Sequence, residues 1–306
     1  MTAQSSGEQN ACQMLSGPAA LKRFADFDGA TQSQQHIKPL HWYVACRLVL
    51  EGGFLPDEIT PRPPFAVTRK GGSFRISHDP QRATGNEATI LGGLKTKNVD
   101  VVVTKAGIGP VLAVSCKGMT GAFRNLTNRM EETIGECTNL HITYPAMVLG
   151  YMFVIRANRQ LEEITSEGGA ENLPPAAKLT ANDIAIKRGG EPVESIIRFH
   201  AALRDLTGRR GIRNDVSRYE AVALAMVETD AVSSGALSLA FPAIDSPLRF
   251  EQFFKTLYLR YDERYVYSAP DLKPVTNRKV WSKDSPVFEM GLCEGLDYEV
   301  RVSAEE

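Results

Sequence analysis

Between Asn98 and Leu140 the sequence leaves few ways to fold. Asn98-Val99-Asp100-Val101-Val102-Val103 and Val111-Leu112-Ala113-Val114-Ser115-Cys116-Lys117 are rich in β-branched residues, and Ala106-Gly107-Ile108-Gly109-Pro110 separates them with a turn composition. A β-hairpin is expected, followed by a helix from about Ala122 to His141. Its apolar stripe runs through Leu126, Met130, Ile134, Cys137 and Leu140. Alternation places Asp100, Val102 and Thr104 on one face of the first strand, and Val111, Ala113, Ser115 and Lys117 on one face of the second. With Asp100 on the same side as Ser115 and Lys117, an acid and an amine meet at the edge of an apolar sheet. A buried charge without a partner costs roughly several kcal/mol. The two therefore either stand at strand ends in water, or serve each other, a metal or a substrate.

The flanking sequence supplies further elements. Residues 1–17 are polar and are expected to form a mobile tail. A helix is expected after Gly17-Pro18, through Leu21, Phe24 and Ala25, and a stronger one from Pro39 to Glu51, closed by Gly52-Gly53. Residues 55–64 hold Pro56, Pro61, Pro63 and Pro64 and are expected to be a loop, and residues 65–90 read as irregular. Val148 to Ile155 is apolar on both faces, as a central strand would be. A polar excursion over 157–192 carries Glu162, Glu163, Glu167 and Glu171. Beyond it are expected a helix from Val193 to Leu206, a strand from Tyr219 to Glu228, a helix from Pro247 to Tyr261, and strand-like pieces around Val275 and Tyr298–Val302. This pattern implies one α/β domain over 18–306, with a helical N-terminal part (18–62), a core at about 85–260 and an irregular C-terminal addition.

Several function classes fall away at this stage. No apolar run reaches membrane-spanning length, and no basic stretch followed by an apolar core opens the chain, so a cytoplasmic protein is expected. The cysteines (Cys12, Cys46, Cys116, Cys137, Cys293) form no CxxC pair, which disfavours structural zinc and a disulfide framework. A Walker-type loop, a GxSxG elbow and an HExxH pair are absent, and His36, His41, His78, His141 and His200 are not spaced as a metal set. A net charge of −1 argues against a uniformly basic surface but leaves room for a local basic cleft. Two basic stretches stand out: Arg69, Lys70, Arg75 and Arg82 in the first, and Arg209, Arg210 and Arg213 in the second. Each is either solvated surface or a set of phosphate and base contacts.

An Asp, a turn, then a strand ending in acid-x-Lys is the signature of the PD-(D/E)xK nucleases, and this stretch resembles it. In those enzymes the Asp and a second carboxylate hold Mg²⁺ over the scissile phosphate, while the Lys places the attacking water and offsets the developing charge. The sequence departs from the signature twice: Val99 precedes Asp100 in place of Pro, and Ser115 stands in place of the second acid. The hairpin is similar to that of restriction endonucleases cleaving CCGG-containing sites, in which Ser-x-Lys is followed by a compensating Glu on the next helix. Glu131, fourteen residues after Lys117, has that spacing and lies off the stripe set by Met130 and Ile134.

The resemblance implies a restriction endonuclease-like core, a mixed central sheet flanked by helices, with helical N-terminal and irregular C-terminal additions. It implies catalytic roles for Asp100, Ser115, Lys117 and Glu131, with Asp100 and Glu131 holding Mg²⁺. It implies a type II restriction enzyme that cuts duplex DNA at a short specific site. Such an enzyme is expected as a homodimer, because a palindrome mirrors a two-fold axis, and a companion methyltransferase for the same site is possible. Arg75, Arg82, Arg209, Arg210 and Arg213 are the expected DNA contacts. The alternatives are a repair or defence nuclease of the same fold, and a nuclease-like protein that binds DNA without cutting it.

Overall fold

The structure is a computed structural model that describes residues 16–29, 34–160, 179–213 and 215–303. The expected N-terminal tail, except its last two residues, and the acidic part of the polar excursion lie outside the described residues. Helices α1 (Gly17–Asp26) and α2 (Lys38–Leu50) come first, each with Pro in its first turn, where no intrahelical N–H partner is lost. Five strands form the central sheet: β1 (Ile59–Thr60), β6 (Val101–Lys105), β7 (Gly109–Met119), β8 (Val148–Arg156) and β9 (Ala221–Val227). Their order is β1-β6-β7-β8-β9; the β1/β6 and β6/β7 pairs are antiparallel, and β7/β8 and β8/β9 are parallel. Helix α3 (Leu126–Thr143) makes the crossover from β7 to β8. Helices α4 (Glu194–Asp205) and α5 (Phe250–Tyr261) follow later in the chain.

Each face of this sheet is buried, so its inner strands are apolar throughout. Val101, Val103, Val114, Met152 and Val154 share one core with α1, α2 and α5. Val102, Ala113, Tyr151, Phe153 and Leu224 share the other with α3 and α4. Alternation thus assigns faces as expected along most of the hairpin. It fails at Val111, which joins the first core together with its neighbour Leu112. The register explains this: Val103 pairs with Leu112 but Thr104 with Pro110, so Val111 is the extra residue of a bulge.

Three other expectations need correction. Residues 65–90 are not irregular: β2 (Phe65–Lys70) and β3 (Ser73–His78) form a hairpin, and β4 (Ala88–Leu91) pairs with β5 (Thr96–Val99). Val275 lies in a short helix, Lys273–Thr276, rather than a strand. Ile134 is 38% exposed, and Thr133 takes its place on the inner face of α3. The C-terminal segment does join the body of the fold. Trp281 is fully buried, bridges to Phe74 and Val302, and donates its indole N–H to the Val49 carbonyl at 3.0 Å. Among the described residues no helix is long and apolar enough to cross a membrane.

Candidate functional site

At Asp100 the chain changes partners: β5 before it pairs with β4, and β6 after it pairs with β7. The residue at this bend turns its side chain onto the α3 side of the sheet edge, where it is 2% exposed. Asp100 Oδ2 accepts hydrogen bonds from the Cys116 backbone N–H at 2.7 Å and from Lys117 Nζ at 2.8 Å. The shared strand face inferred from alternation is the reason these groups meet.

Ser115, two residues before Lys117 and on the same face, donates a short hydrogen bond to Oε1 of Glu136. The other oxygen of Glu136 lies 2.8 Å from Lys97 Nζ. The acid that α3 brings to the sheet is therefore Glu136, which is buried; Glu131 and Glu132 are exposed, and Glu132 pairs with Arg129. At about 100° per residue, five positions separate Glu131 from Glu136 by about 140° around the helix, so one turned inward sends the other out. Thr133 sets the phase of the helix. Its hydroxyl is within 2.9 Å of the Tyr151 hydroxyl, and its carbonyl accepts from the Tyr219 hydroxyl at 2.9 Å.

Other groups approach Asp100 from distant parts of the chain. His41 of α2 is 5% exposed, and its Nε2 lies 3.7 Å from Asp100 Oδ1 with no hydrogen-bond partner. Burial holds this imidazole below the ordinary histidine range, against the opposing pull of the Asp100 charge. Glu87, in the segment leading into β4, shares a hydrogen bond with the Asp100 carboxyl; burial, then the neighbouring negative charge, pushes its pKa up. Burial also disfavours the charged form of Lys117, but the charges of Asp100 and Glu136 outweigh it and its pKa is raised. Asp100 and Lys117 line a cavity of about 370 Å³, and His41 and Glu87 line an adjoining one of about 190 Å³; Gln34 borders both. A larger cavity, about 620 Å³, lies elsewhere, against Leu21, Arg47, Phe250 and Tyr298.

The arginines divide. Arg209 is not a surface residue: its side chain is fully buried, with Nη1 2.8 Å from Glu220 Oε1, and it cannot reach DNA in this fold. Arg210 and Arg213 are exposed. Arg75 binds Asp284, and Arg82, about half exposed, pairs with Asp79.

Sequence reasoning thus missed Glu136, Lys97, His41 and Glu87. His41 carried a signal, being a polar side chain within a helix otherwise almost wholly apolar, where an unpaired polar group demands an explanation. Among the described residues no three His, Cys, Asp or Glu side chains converge closely enough to hold a metal ion as they stand. Two features nevertheless fit a divalent cation: carboxyl groups pressed together at Asp100 and Glu87, and the orphaned Nε2 of His41. No protein-family model matches the chain, and neither a curated protein nor a solved structure matches it.

Proposed function

We propose that the protein is a divalent-metal-dependent endonuclease that cuts duplex DNA, with the restriction endonuclease-like core implied by its hairpin. The observation that carries this reading is the hydrogen bond between Ser115 and Glu136, beside the Asp100–Lys117 pair. Glu136 sets its carboxylate about where a longer acidic side chain at position 115 would set its own. An acid-x-Lys arrangement is thereby restored from the helix, through Glu136 instead of Glu131. The hairpin β6–β7, the crossover α3 and the parallel strand β8 are arranged as that family's core requires.

Asp100 and Glu136 would hold Mg²⁺, which when bound supplies Lewis acidity at the phosphate and a more acidic water. Lys117, fixed by Asp100 and a third exposed, places the water and offsets charge on the phosphoryl oxygens. Arg75, Arg82, Arg210 and Arg213 remain the proposed backbone and base contacts. A palindromic site would be met by two copies of the chain, and a methyltransferase of the same specificity would protect the host.

The test is incubation of the protein with unmethylated plasmid DNA and Mg²⁺. Discrete fragments are expected, abolished by EDTA. Asp100→Asn, Lys117→Ala and Glu136→Gln should each slow cleavage about 100-fold or more, and Glu131→Gln should cut at the wild-type rate. A smear would instead indicate a repair or defence nuclease without site preference. The second reading is a DNA-binding protein that does not cut, and the balanced ion pairs of Asp100 with Lys117 and Glu136 with Lys97 favour it. On that reading the wild type leaves all DNA intact, and Lys117→Ala lowers stability by about 1.5–3 kcal/mol through the lost charged hydrogen bond.

A further inference from the structure

The mechanism above leaves one buried group unused. His41 Nε2 has no hydrogen-bond partner and is turned towards Asp100 Oδ1, 3.7 Å away. Orphaned buried polar atoms are uncommon and point to strain or to a missing ligand. The Oδ1 side of Asp100 is also where a second carboxyl group is available, because Oδ2 is taken by the Cys116 N–H and Lys117. Glu87 meets Asp100 there and lines the same small cavity as His41. Two donors bound about 2.1 Å from one ion stand about 3–3.5 Å apart, so the His41–Asp100 separation lies just outside that of a ligand pair.

We propose that His41 Nε2, Asp100 and Glu87 form a binding site for a transition-metal dication on the Oδ1 side of Asp100. The three are neighbours that stop short of converging. Glu87 is half-buried on a segment between elements and has the freest side chain of the three, so it is the ligand that closes the site. The donor set decides the metal class. Mg²⁺ takes oxygen ligands and keeps its waters, whereas Mn²⁺, Fe²⁺ and Co²⁺ accept an imidazole beside carboxylates. The site is therefore selective for such an ion over Mg²⁺. This inference rests on the reading of Asp100 as a metal ligand but not on DNA cleavage.

The experiment uses the full chain without DNA and Mn²⁺ as the probe. Pulsed electron paramagnetic resonance of the bound ion should show coupling to an imidazole nitrogen, with Mg²⁺ a poor competitor. His41→Ala should remove the coupling and weaken Mn²⁺ binding about tenfold or more. Glu87→Gln should weaken binding yet keep the coupling, which preserves the test if His41→Ala fails to fold. A wild-type spectrum without nitrogen coupling, or coupling unchanged in His41→Ala, would overturn the proposal. Site-specific cleavage in Mg²⁺ with no such coupling would remove this site and leave the nuclease reading standing. Nitrogen-coupled Mn²⁺ in a protein that cuts nothing would do the reverse.

Discussion

Glu220 has no exposed surface, yet two guanidinium groups close on one of its oxygens. Arg209 Nη1 and Arg264 Nη1 each lie 2.8 Å from Oε1, while Oε2 accepts the Leu149 backbone N–H at 2.7 Å and lies 3.6 Å from His141 Nε2. Burial alone would raise this carboxyl's pKa. The hydrogen bond from His141 and the charge of Arg264 outweigh it and hold the pKa below the usual carboxylate range. Arg209 spends its remaining donors on the carbonyls of Pro145 and Ile212. A run of arginines in sequence gives no sign of which member will be buried; the acid that captures Arg209 is eleven residues away, beside the start of β9. Glu220→Gln should leave buried positive charge uncompensated and destabilise the fold by about 3–5 kcal/mol. Urea denaturation measures this, and a loss below about 1 kcal/mol would show that the network is weaker than its geometry implies. Arg210→Ala, on the exposed neighbour, should leave the urea midpoint unchanged and act only on DNA binding.

At the scale of elements, the β2–β3 hairpin was readable in the sequence and was passed over. Its strands are joined by Gly71-Gly72, both at positive φ (57° and 92°), the two-residue connection whose twist suits a hairpin. The arginines and lysines around it read as a loop, although charge on a solvent-facing strand is ordinary. No atom lies within 4 Å of a Cβ built at Gly72, so Gly72→Ala isolates the backbone preference and should cost about 1–2 kcal/mol. Gly135 is the opposite case. It is exposed in α3 and equally open, so Gly135→Ala should stabilise by roughly 0.8–1 kcal/mol from helix propensity alone. Paired thermal melts check both signs. The hairpin β6–β7, its faces and the Asp100–Lys117 contact were legible because period two is local to the backbone. Glu136 was not, because the phase of α3 follows Thr133, and Thr133 is held by tyrosines of β8 and the lead into β9 that no local pattern pairs with it. His41 and Glu87 stayed hidden for a similar reason: they reach Asp100 from other elements.

Across the whole molecule, two cores on opposite faces of one sheet take in histidines from several elements, and this sets how the fold responds to acid. His36, His41, His78 and His200 all have pKa values below the ordinary histidine value, with burial the largest cause in each. Asp100 beside His41 and Asp79 beside His78 work against the shift without cancelling it, and Lys117, Lys38, Arg156 and Arg204 add to it at their respective rings. In the unfolded chain these imidazoles titrate near a pH of about 6.5. Between that value and each lowered one the unfolded chain binds more protons than the folded one. Stability therefore rises with pH across the window, is full above about 6.5 and is lost as pH falls below it. The carboxyl groups held low in the fold, Asp26, Asp183 and Glu220, act in the same direction, but their losses begin only near the unfolded carboxylate values, at a pH of about 4–4.5. Acid should thus weaken the protein in two stages, the first beginning while its carboxylates are still ionised. Urea midpoints at pH 7.5, 6 and 5 should fall in that order, and His78→Gln should make the fall shallower. A midpoint constant from pH 7.5 to 5 would mean that the buried imidazoles accept protons within the fold as readily as in the unfolded chain.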